Sequence, residues 1–162
     1  MTSRHREADE RAMRRALAEA VAASTYDEIP IGAVVLAPDG GVIGSGCNRV
    51  LALADPTAHA EVVALRAAAA HRASPRLDGC TLVTTLEPCP MCAGAAVSAR
   101  VARVVFGAWN EEYGAAGSLW DLVRDRRLIH RPEVTGGVLA DECGALVRQF
   151  FEGRREGPDS AG

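Results

Sequence analysis

Two short motifs, 30 positions apart, place the strongest constraint on the fold of this chain. The first is His59-Ala60-Glu61, and the second is Pro88-Cys89-Pro90-Met91-Cys92. Each motif falls where the sequence predicts the amino terminus of a helix. Side chains in a first turn lean back towards the helix start, so residues from two adjacent helices can meet beyond both ends. A fold that uses both motifs together must therefore bring two helix amino termini side by side.

Around these motifs, the sequence alternates helical patterns with short β-rich runs. Apolar spacing predicts helices over 8–24, from about 55–57 to 71, over 91–98, near 119–123 and over 139–155. Strands are predicted over 31–36, 42–46, 81–85, 101–108 and 134–138, the first two joined by the turn Pro38-Asp39-Gly40-Gly41. This order favours an α/β fold in which helices cover both faces of a sheet. We expect one domain over 1–155 and a frayed tail over 156–162.

The composition is that of an ordinary globular protein. The chain has 162 residues, of which 48% are hydrophobic and 24% charged. Its formal net charge of −3 gives no general attraction for nucleic acid, so RNA binding would need a local basic patch. The stretch 1–15 is dense in charge, and no apolar run is long enough to span a bilayer. We therefore expect a cytoplasmic protein without a signal peptide or a membrane partner.

The two motifs supply the donor set of a catalytic zinc site. Two thiolates, Cys89 and Cys92, and the imidazole of His59 match a site whose fourth position is open to water. The positive end of a helix dipole favours the thiolate form of both cysteines. Glu61 can act as general acid and base beside the metal without being a ligand. Because residues i and i+2 lie on nearly opposite helix faces, His59 and Glu61 must both lie in or before the first turn.

Other interpretations of these residues stay open at this point. Cys89-Pro90-Met91-Cys92 taken alone is also typical of a glutaredoxin-like dithiol, and His59 with Glu61 argues against that. A structural zinc would need a fourth protein ligand, for which the sequence offers no clear candidate. The chain has five cysteines, an odd count, and without a secretory signal a disulfide framework is not expected. The remaining three are expected to be buried, inert thiols: Cys47, Cys80 and Cys143.

Short segments along nearly the whole chain carry a second pattern. They lie at 29–34, 48–49, 55–61, 85–95, 104–108, 114–119 and 137–143, and at the ending Phe150-Phe151-x-x-Arg154-Arg155. In these segments the chain resembles the bacterial tRNA-specific adenosine deaminases of the cytidine and deoxycytidylate deaminase superfamily. Metal ligation alone would not account for so many matched loops.

The resemblance implies a three-layer α-β-α fold with a mixed five-stranded sheet between helices. It implies one zinc ion per subunit, held by His59, Cys89 and Cys92, with Glu61 moving protons. It further implies a homodimer whose substrate groove uses both subunits. The implied substrate is the wobble adenosine in the anticodon loop of an arginine tRNA, which is deaminated to inosine.

The resemblance also suggests which residues contact the RNA. Asn48 matches an asparagine that hydrogen-bonds the flipped base, and the backbone from Leu86 to Pro88 would line the pocket. From the residues alone, the favoured interpretation of Asn48 is a turn-forming residue at a strand end. Further contacts are expected from residues of one loop and the last helix, with Arg148 as an additional patch residue: Asn110, Phe151, Arg154 and Arg155. Packing of Phe150-Phe151 and a solvated arginine face are the alternatives.

Two short stretches depart from the family. Trp109-Asn110 stands where the family often carries an arginine followed by an aspartate, in a loop expected to approach the ribose and the nucleotide backbone. An amide in place of a carboxylate removes one repulsion, so we expect weaker discrimination between ribose and deoxyribose. Glu152-Gly153 replaces basic or bulkier residues and weakens the expected phosphate patch.

Two rival functions are compatible with parts of the sequence. A deaminase of a free nucleobase or nucleoside would share the zinc site, but it would not need the loop 114–118 or the ending with two phenylalanines and two arginines. A redox or zinc-binding module without catalysis would leave Glu61 without a purpose.

Overall fold

In a computed structural model that describes residues 3–155, helices and strands alternate along most of the chain. The helices are α1 Ser3–Ala23, α2 Val50–Leu53, α3 Ala60–Arg72, α4 Pro90–Ala99 and α5 Ala140–Arg155. The strands are β1 Gly32–Leu36, β2 Val42–Cys47, β3 Thr81–Leu86, β4 Arg103–Ala108 and β5 Glu133–Thr135. Short 3-10 turns lie at Ser24–Tyr26 and Leu122–Arg124.

The five strands form one mixed sheet in the order β2-β1-β3-β4-β5. Strand β1 is antiparallel to both β2 and β3, while β3, β4 and β5 run parallel. Helix α4 makes the crossover between the parallel strands β3 and β4. Because parallel strands end at the same edge, the segments after β3 and β4 lie side by side. The expected mixed five-stranded sheet is confirmed.

Alternate residues of the central strands face opposite helical layers. One face packs against α3 and α4 through Val35, Leu82, Val104, Ala64 and Ala96. The other packs against α1 and α5 through Val34, Val83, Val105, Met13 and Cys143. The three-layer α-β-α architecture is therefore confirmed, with apolar cores on both sides of the sheet.

Glycines in β1 and β2 let helices approach the sheet closely. A Cβ added at Gly32 would overlap the backbone of α1 at Ala16, and one added at Gly44 would overlap α3 at Ala64. Helix α3, which begins directly after His59, is thus held tightly against β2.

The helix expected from about 55–57 begins later, at Ala60. The Asp55 carboxylate instead accepts hydrogen bonds from the backbone N–H (2.8 Å) and the hydroxyl (2.7 Å) of Thr57. This local turn competes with helix formation, and the chain forms the separate short helix α2 before it. The fifth strand also stops early, at Thr135, because Gly136 and Gly137 follow and Gly137 has φ +81°.

No helix among residues 3–155 combines the length and apolar character needed to cross a bilayer. The expected tail over 156–162 lies outside the described residues.

Candidate active site

Both sequence motifs lie at helix amino termini, as the pattern predicts. His59 is the residue that precedes α3, and Cys89 is the residue that precedes α4, both with extended backbone. Glu61 lies in the first turn of α3. The geometric condition on His59 and Glu61 is therefore met, since one precedes the helix and the other is in its first turn.

The side chains of His59, Cys89 and Cys92 converge on one point. The Nδ1 atom of His59 lies 3.7 Å from the Cys89 sulfur and 3.6 Å from the Cys92 sulfur. Zinc bonds of about 2.3 Å to sulfur and 2.05 Å to nitrogen, at tetrahedral angles, separate such atoms by about 3.6 Å. Within the described part of the chain, these three residues are the group that could hold a metal ion. The donor set fits a three-ligand zinc site of the catalytic kind.

Hydrogen bonding shifts the pKa values of the two cysteines in opposite directions in the metal-free protein. A hydrogen bond from Cys92 lowers the pKa of Cys89 to about 4, against the opposing effect of burial. The same hydrogen bond, with burial, raises the pKa of Cys92. Hydrogen bonding to Cys89 also raises the pKa of His59. Cys89 and Cys92 thus share one proton. A divalent cation that bound both sulfurs as thiolates would displace that proton.

Glu61 is buried beside these ligands, with 4% of its surface exposed. Burial is the main cause that raises the pKa of its carboxyl group to about 7. A carboxyl group with such a pKa can both accept and donate a proton near neutral pH. The geometry therefore gives Glu61 the properties of a general acid and base.

Asn48 connects the start of α3 to the cleft above it. Its side-chain oxygen accepts a hydrogen bond from the backbone N–H of Ala60, at 2.9 Å. This bond satisfies one of the unpaired N–H groups at the helix start. The residue is buried and also lines the cleft, and none of the described residues accepts a hydrogen bond from its amide nitrogen. That nitrogen is free to bind a ligand.

A cleft of about 1010 Å³ opens over the metal cluster. Its lining includes most of the predicted substrate residues: Asn48, Leu86, Asn110, Phe151 and Arg154. Pro88 is outside the described lining, and its carbonyl accepts a hydrogen bond from Ala115 N–H at 2.8 Å. Arg155 is exposed on α5, also outside that lining.

Arg154 makes an ion pair and a cation–π contact within the protein. Its guanidinium pairs with the Asp27 carboxylate at 2.7 Å and lies 4.5 Å from the centre of the Phe150 ring. Phe150 is half-buried and meets Phe151 edge to face, while Phe151 is exposed. The end of α5 is thereby tied to the segment after α1, with one phenylalanine packed and the other open to the cleft.

Sequence reasoning missed two buried carboxylates at the cleft. Glu28 accepts hydrogen bonds from the backbone N–H groups of Leu51 (2.6 Å) and Ala52 (3.0 Å) at the start of α2. Glu87 is 1% exposed and accepts bonds from the loop that follows β4. The position of Glu87, a charged residue directly after a buried strand, could have singled it out. Its hydrogen-bond partners could not be predicted, because they are distant in sequence.

The fold and the site together define a hydrolytic deaminase. The family model of the cytidine and deoxycytidylate deaminase zinc-binding region matches residues 6–108. A tRNA-specific adenosine deaminase of Haemophilus influenzae is 47% identical over 150 residues, which cover 93% of this chain and 87% of the relative. The chain therefore belongs to the tRNA-specific adenosine deaminases within the cytidine and deoxycytidylate deaminase family.

Other relatives share the domain in different settings. A tRNA(Ile)-lysidine synthase of Deinococcus deserti is 50% identical over 145 residues, which cover 90% of this chain but 27% of that relative. The chain thus spans about a quarter of that protein's length.

Solved structures agree with this assignment. One from studies of A-to-I editing by tRNA:A34 deaminases at the wobble position has a TM-score of 0.80 and 40% identity, covering 84% of this chain and 98% of its own. A guanine deaminase from Nitrosomonas europaea has a TM-score of 0.77 and 30% identity, covering 88% and 84%.

Proposed function

We propose that this protein is a zinc-dependent deaminase that converts the wobble adenosine of a tRNA anticodon loop to inosine, with an arginine tRNA as its substrate. The observation that carries this proposal is the convergence of His59, Cys89 and Cys92 beside the buried Glu61, under a cleft open to a large ligand. The similarity to tRNA-specific adenosine deaminases over nearly the whole chain supports the choice of substrate.

The proposed roles follow from the site geometry. His59, Cys89 and Cys92 would hold one zinc ion per subunit. A zinc ion held there would supply the activation of a water molecule for attack on a carbon atom, here C6 of adenine. Glu61 would accept a proton from the attacking water and deliver it to N1 of the base. It would then take the proton of the new C6 hydroxyl and deliver it to the departing amino group. Adenosine and water are thereby converted to inosine and ammonia.

The other cleft residues would hold the nucleotide. The free amide nitrogen of Asn48 can donate a hydrogen bond to the flipped base. Leu86, Asn110 and Phe151 lie around the same opening. The Pro88 carbonyl and Arg155 lie outside the described lining of the cleft. Arg154 would contact RNA only on leaving Asp27.

We also propose that the protein acts as a homodimer in the bacterial cytoplasm, where its tRNA substrate is found. Large apolar side chains are exposed on α2 and near the end of α1, among them Leu51 (64%) and Leu53 (55%). Exposed apolar surface of this kind is typical of interfaces. Light scattering on the purified protein measures the state directly, and a monomer at assay concentration would refute this part.

The deciding experiment uses an unmodified arginine tRNA transcript with an ACG anticodon. The zinc-loaded protein is incubated with it, and inosine is quantified by mass spectrometry after digestion. We expect inosine at the wobble position with the wild type and none with Glu61→Ala, which should retain zinc because Glu61 is not a ligand. Zinc-loaded wild type that yields no inosine would contradict the tRNA assignment.

A second candidate is deamination of a free nucleobase or nucleoside. The structural similarity to a guanine deaminase favours it. A panel of guanine, cytosine, adenosine and cytidine tests it with the same two samples, and turnover of one of these without turnover of the tRNA would select it.

A further inference from the structure

The Glu87 carboxylate is the centre of a buried hydrogen-bond network. It accepts bonds from the backbone N–H groups of Asn110 (3.0 Å), Ala116 (3.1 Å) and Ser118 (2.9 Å), and from the Ser118 hydroxyl. In the part of the chain that the structure describes, no arginine or histidine forms an ion pair with it. Glu87 therefore serves a single loop, which we define as the wall loop, residues 109–120.

The wall loop is folded around this carboxylate. Gly114 packs so closely on it that an added Cβ would overlap both the Glu87 carboxylate and the Asn110 carbonyl. The Gly114 N–H also donates to the Asn110 carbonyl at 2.7 Å, and Ala115 N–H donates to the Pro88 carbonyl at 2.8 Å. The loop is thus attached to the chain at two consecutive residues, Glu87 and Pro88.

This attachment joins the two halves of the active site. On one side, the metal-ligand residue Cys89 lies two positions after Glu87. On the other, residues 109–113 of the wall loop line the cleft over the metal cluster. A shift of the carboxylate would move this wall relative to Cys89 and to the acid and base Glu61.

We propose that Glu87 is a positioning residue, which sets the place of the cleft wall relative to the metal ligands and so orients the substrate for deamination. This inference rests on the proposed function. Misplacing a bound substrate by about 1 Å can cost roughly 100-fold in rate, even when the altered residue is remote from the chemistry.

The chemistry of the network explains why the residue is glutamate. All four partners are donors, and a carboxylate offers acceptor sites on both oxygens. Glutamine has nearly the same shape, but its amide nitrogen would turn two hydrogens towards N–H groups. Glu87→Gln therefore breaks part of the network and adds almost no volume.

Asp9 provides a matched control. It is also a buried carboxylate (4% exposed), but it pairs with Arg103 through two bonds of 3.0 Å at the start of β4, the end of that strand opposite the wall loop. Asp9→Asn removes a buried charge of the same kind and leaves the wall loop intact. Any effect common to both variants reports on stability and not on positioning.

The experiment compares the wild type, Glu87→Gln and Asp9→Asn as zinc-loaded proteins, well below their melting temperatures. We expect full zinc content in all three. On an ACG anticodon hairpin, kcat/KM should fall by about 10- to 100-fold in Glu87→Gln and stay within about threefold in Asp9→Asn. Asn110 N–H donates to one Glu87 oxygen, and Ala116 and Ser118 N–H donate to the other. Hydrogen exchange should accelerate in Glu87→Gln alone, at the amides on the side that the new NH2 group occupies, since these lose their acceptor.

Gly114→Ala disturbs the same network from the wall-loop side, because its Cβ would overlap the Glu87 carboxylate. If Glu87→Gln fails to fold, this variant should show both the fall in kcat/KM and the faster amide exchange. Equal kcat/KM in Glu87→Gln and Asp9→Asn, or unchanged exchange in the wall loop, would overturn the role of Glu87 and leave the proposed function standing. If the wild type acts on free bases but not on the hairpin, the proposed function fails, and the same variants are compared on the base. If it acts on neither, amide exchange decides whether Glu87 anchors the loop.

Discussion

At the scale of single residues, burial and hydrogen bonding separate the cysteines by reactivity. Cys89 is half-buried with a pKa lowered to about 4 by the hydrogen bond from Cys92. Burial raises the pKa of Cys47, and it raises the pKa of Cys143 to about 11. All three of Cys47, Cys80 and Cys143 are buried free thiols, as the sequence predicts.

We predict that iodoacetamide modifies Cys89 first in the zinc-free protein. Its thiolate exists at every pH above about 4, so its rate should stay nearly constant between pH 6 and pH 8. Cys143 stays protonated up to about pH 11 and should not react. Peptide mass spectrometry measures both, and the zinc-loaded protein is the control, in which Cys89 should be protected. A tenfold rise in the Cys89 rate for each pH unit would contradict the lowered pKa.

At the same scale, the sequence predicted which residues meet at the site better than it predicted the contacts that hold them. His59, Glu61, Cys89 and Cys92 were predicted to converge because each motif is short and first-turn geometry places its side chains, and the structure brings them together. Glu87 and Arg154 could not be assigned their partners in this way. Glu87 is bonded to residues 23 to 31 positions away, and Arg154 to a residue 127 positions away.

At the scale of elements, the strands and long helices could be predicted because alternating and helical apolar patterns match the two faces of the sheet. The predicted boundaries are wrong where local polar hydrogen bonds or glycines compete with those patterns. The turn closed by Asp55 and Thr57 delays α3 to Ala60, and α2 is too short for a periodic pattern to reveal. Gly136 and Gly137 shorten β5 for a backbone reason that the apolar pattern does not contain.

The wall loop contains Trp109-Asn110, one of the two stretches that depart from the family's pattern. The side-chain oxygen of Asn110 accepts a hydrogen bond from Tyr113 N–H at 3.1 Å, which stabilises the turn. An aspartate would keep that acceptor and add a negative charge next to Glu111 and Glu112. Asn110→Asp therefore changes the charge of the loop without removing its turn.

We predict that Asn110→Asp sharpens the preference for RNA over DNA. The added charge should repel the nucleotide backbone, and the loss should be greater for the deoxyribose hairpin, which lacks compensating 2′-hydroxyl contacts. Rates on matched RNA and DNA hairpins give the ratio for each protein, and we expect the ratio of RNA to DNA to rise several-fold. Asn110→Ser, which is neutral, serves as the control. Equal ratios in wild type and Asn110→Asp would reject the hypothesis.

At the scale of the whole molecule, negative charge around the cleft disfavours the binding of phosphate there. The formal net charge is −3, and the cleft lining carries Asp27, Glu28, Glu111 and Glu112. Its one described arginine, Arg154, is paired with Asp27. On α5, Arg148 and Arg155 have no ion pair among the described residues. Under the proposed function, these two arginines are the cations that α5 offers to RNA phosphates.

We predict a shallow salt dependence of RNA binding. Two arginines that each neutralise one phosphate of a single strand give a slope of about −1.4 in log affinity against log salt, or roughly a sevenfold loss between 50 and 200 mM. Anisotropy of a labelled ACG hairpin on zinc-loaded Glu61→Ala measures this without turnover. Replacing both Arg148 and Arg155 with alanine should bring the slope close to zero, whereas Arg11→Ala, an exposed arginine on α1, should leave it unchanged. A wild-type slope steeper than about −4 would mean that more than about five phosphates are neutralised, and that a basic surface outside this face, from the same subunit or a second one, dominates binding.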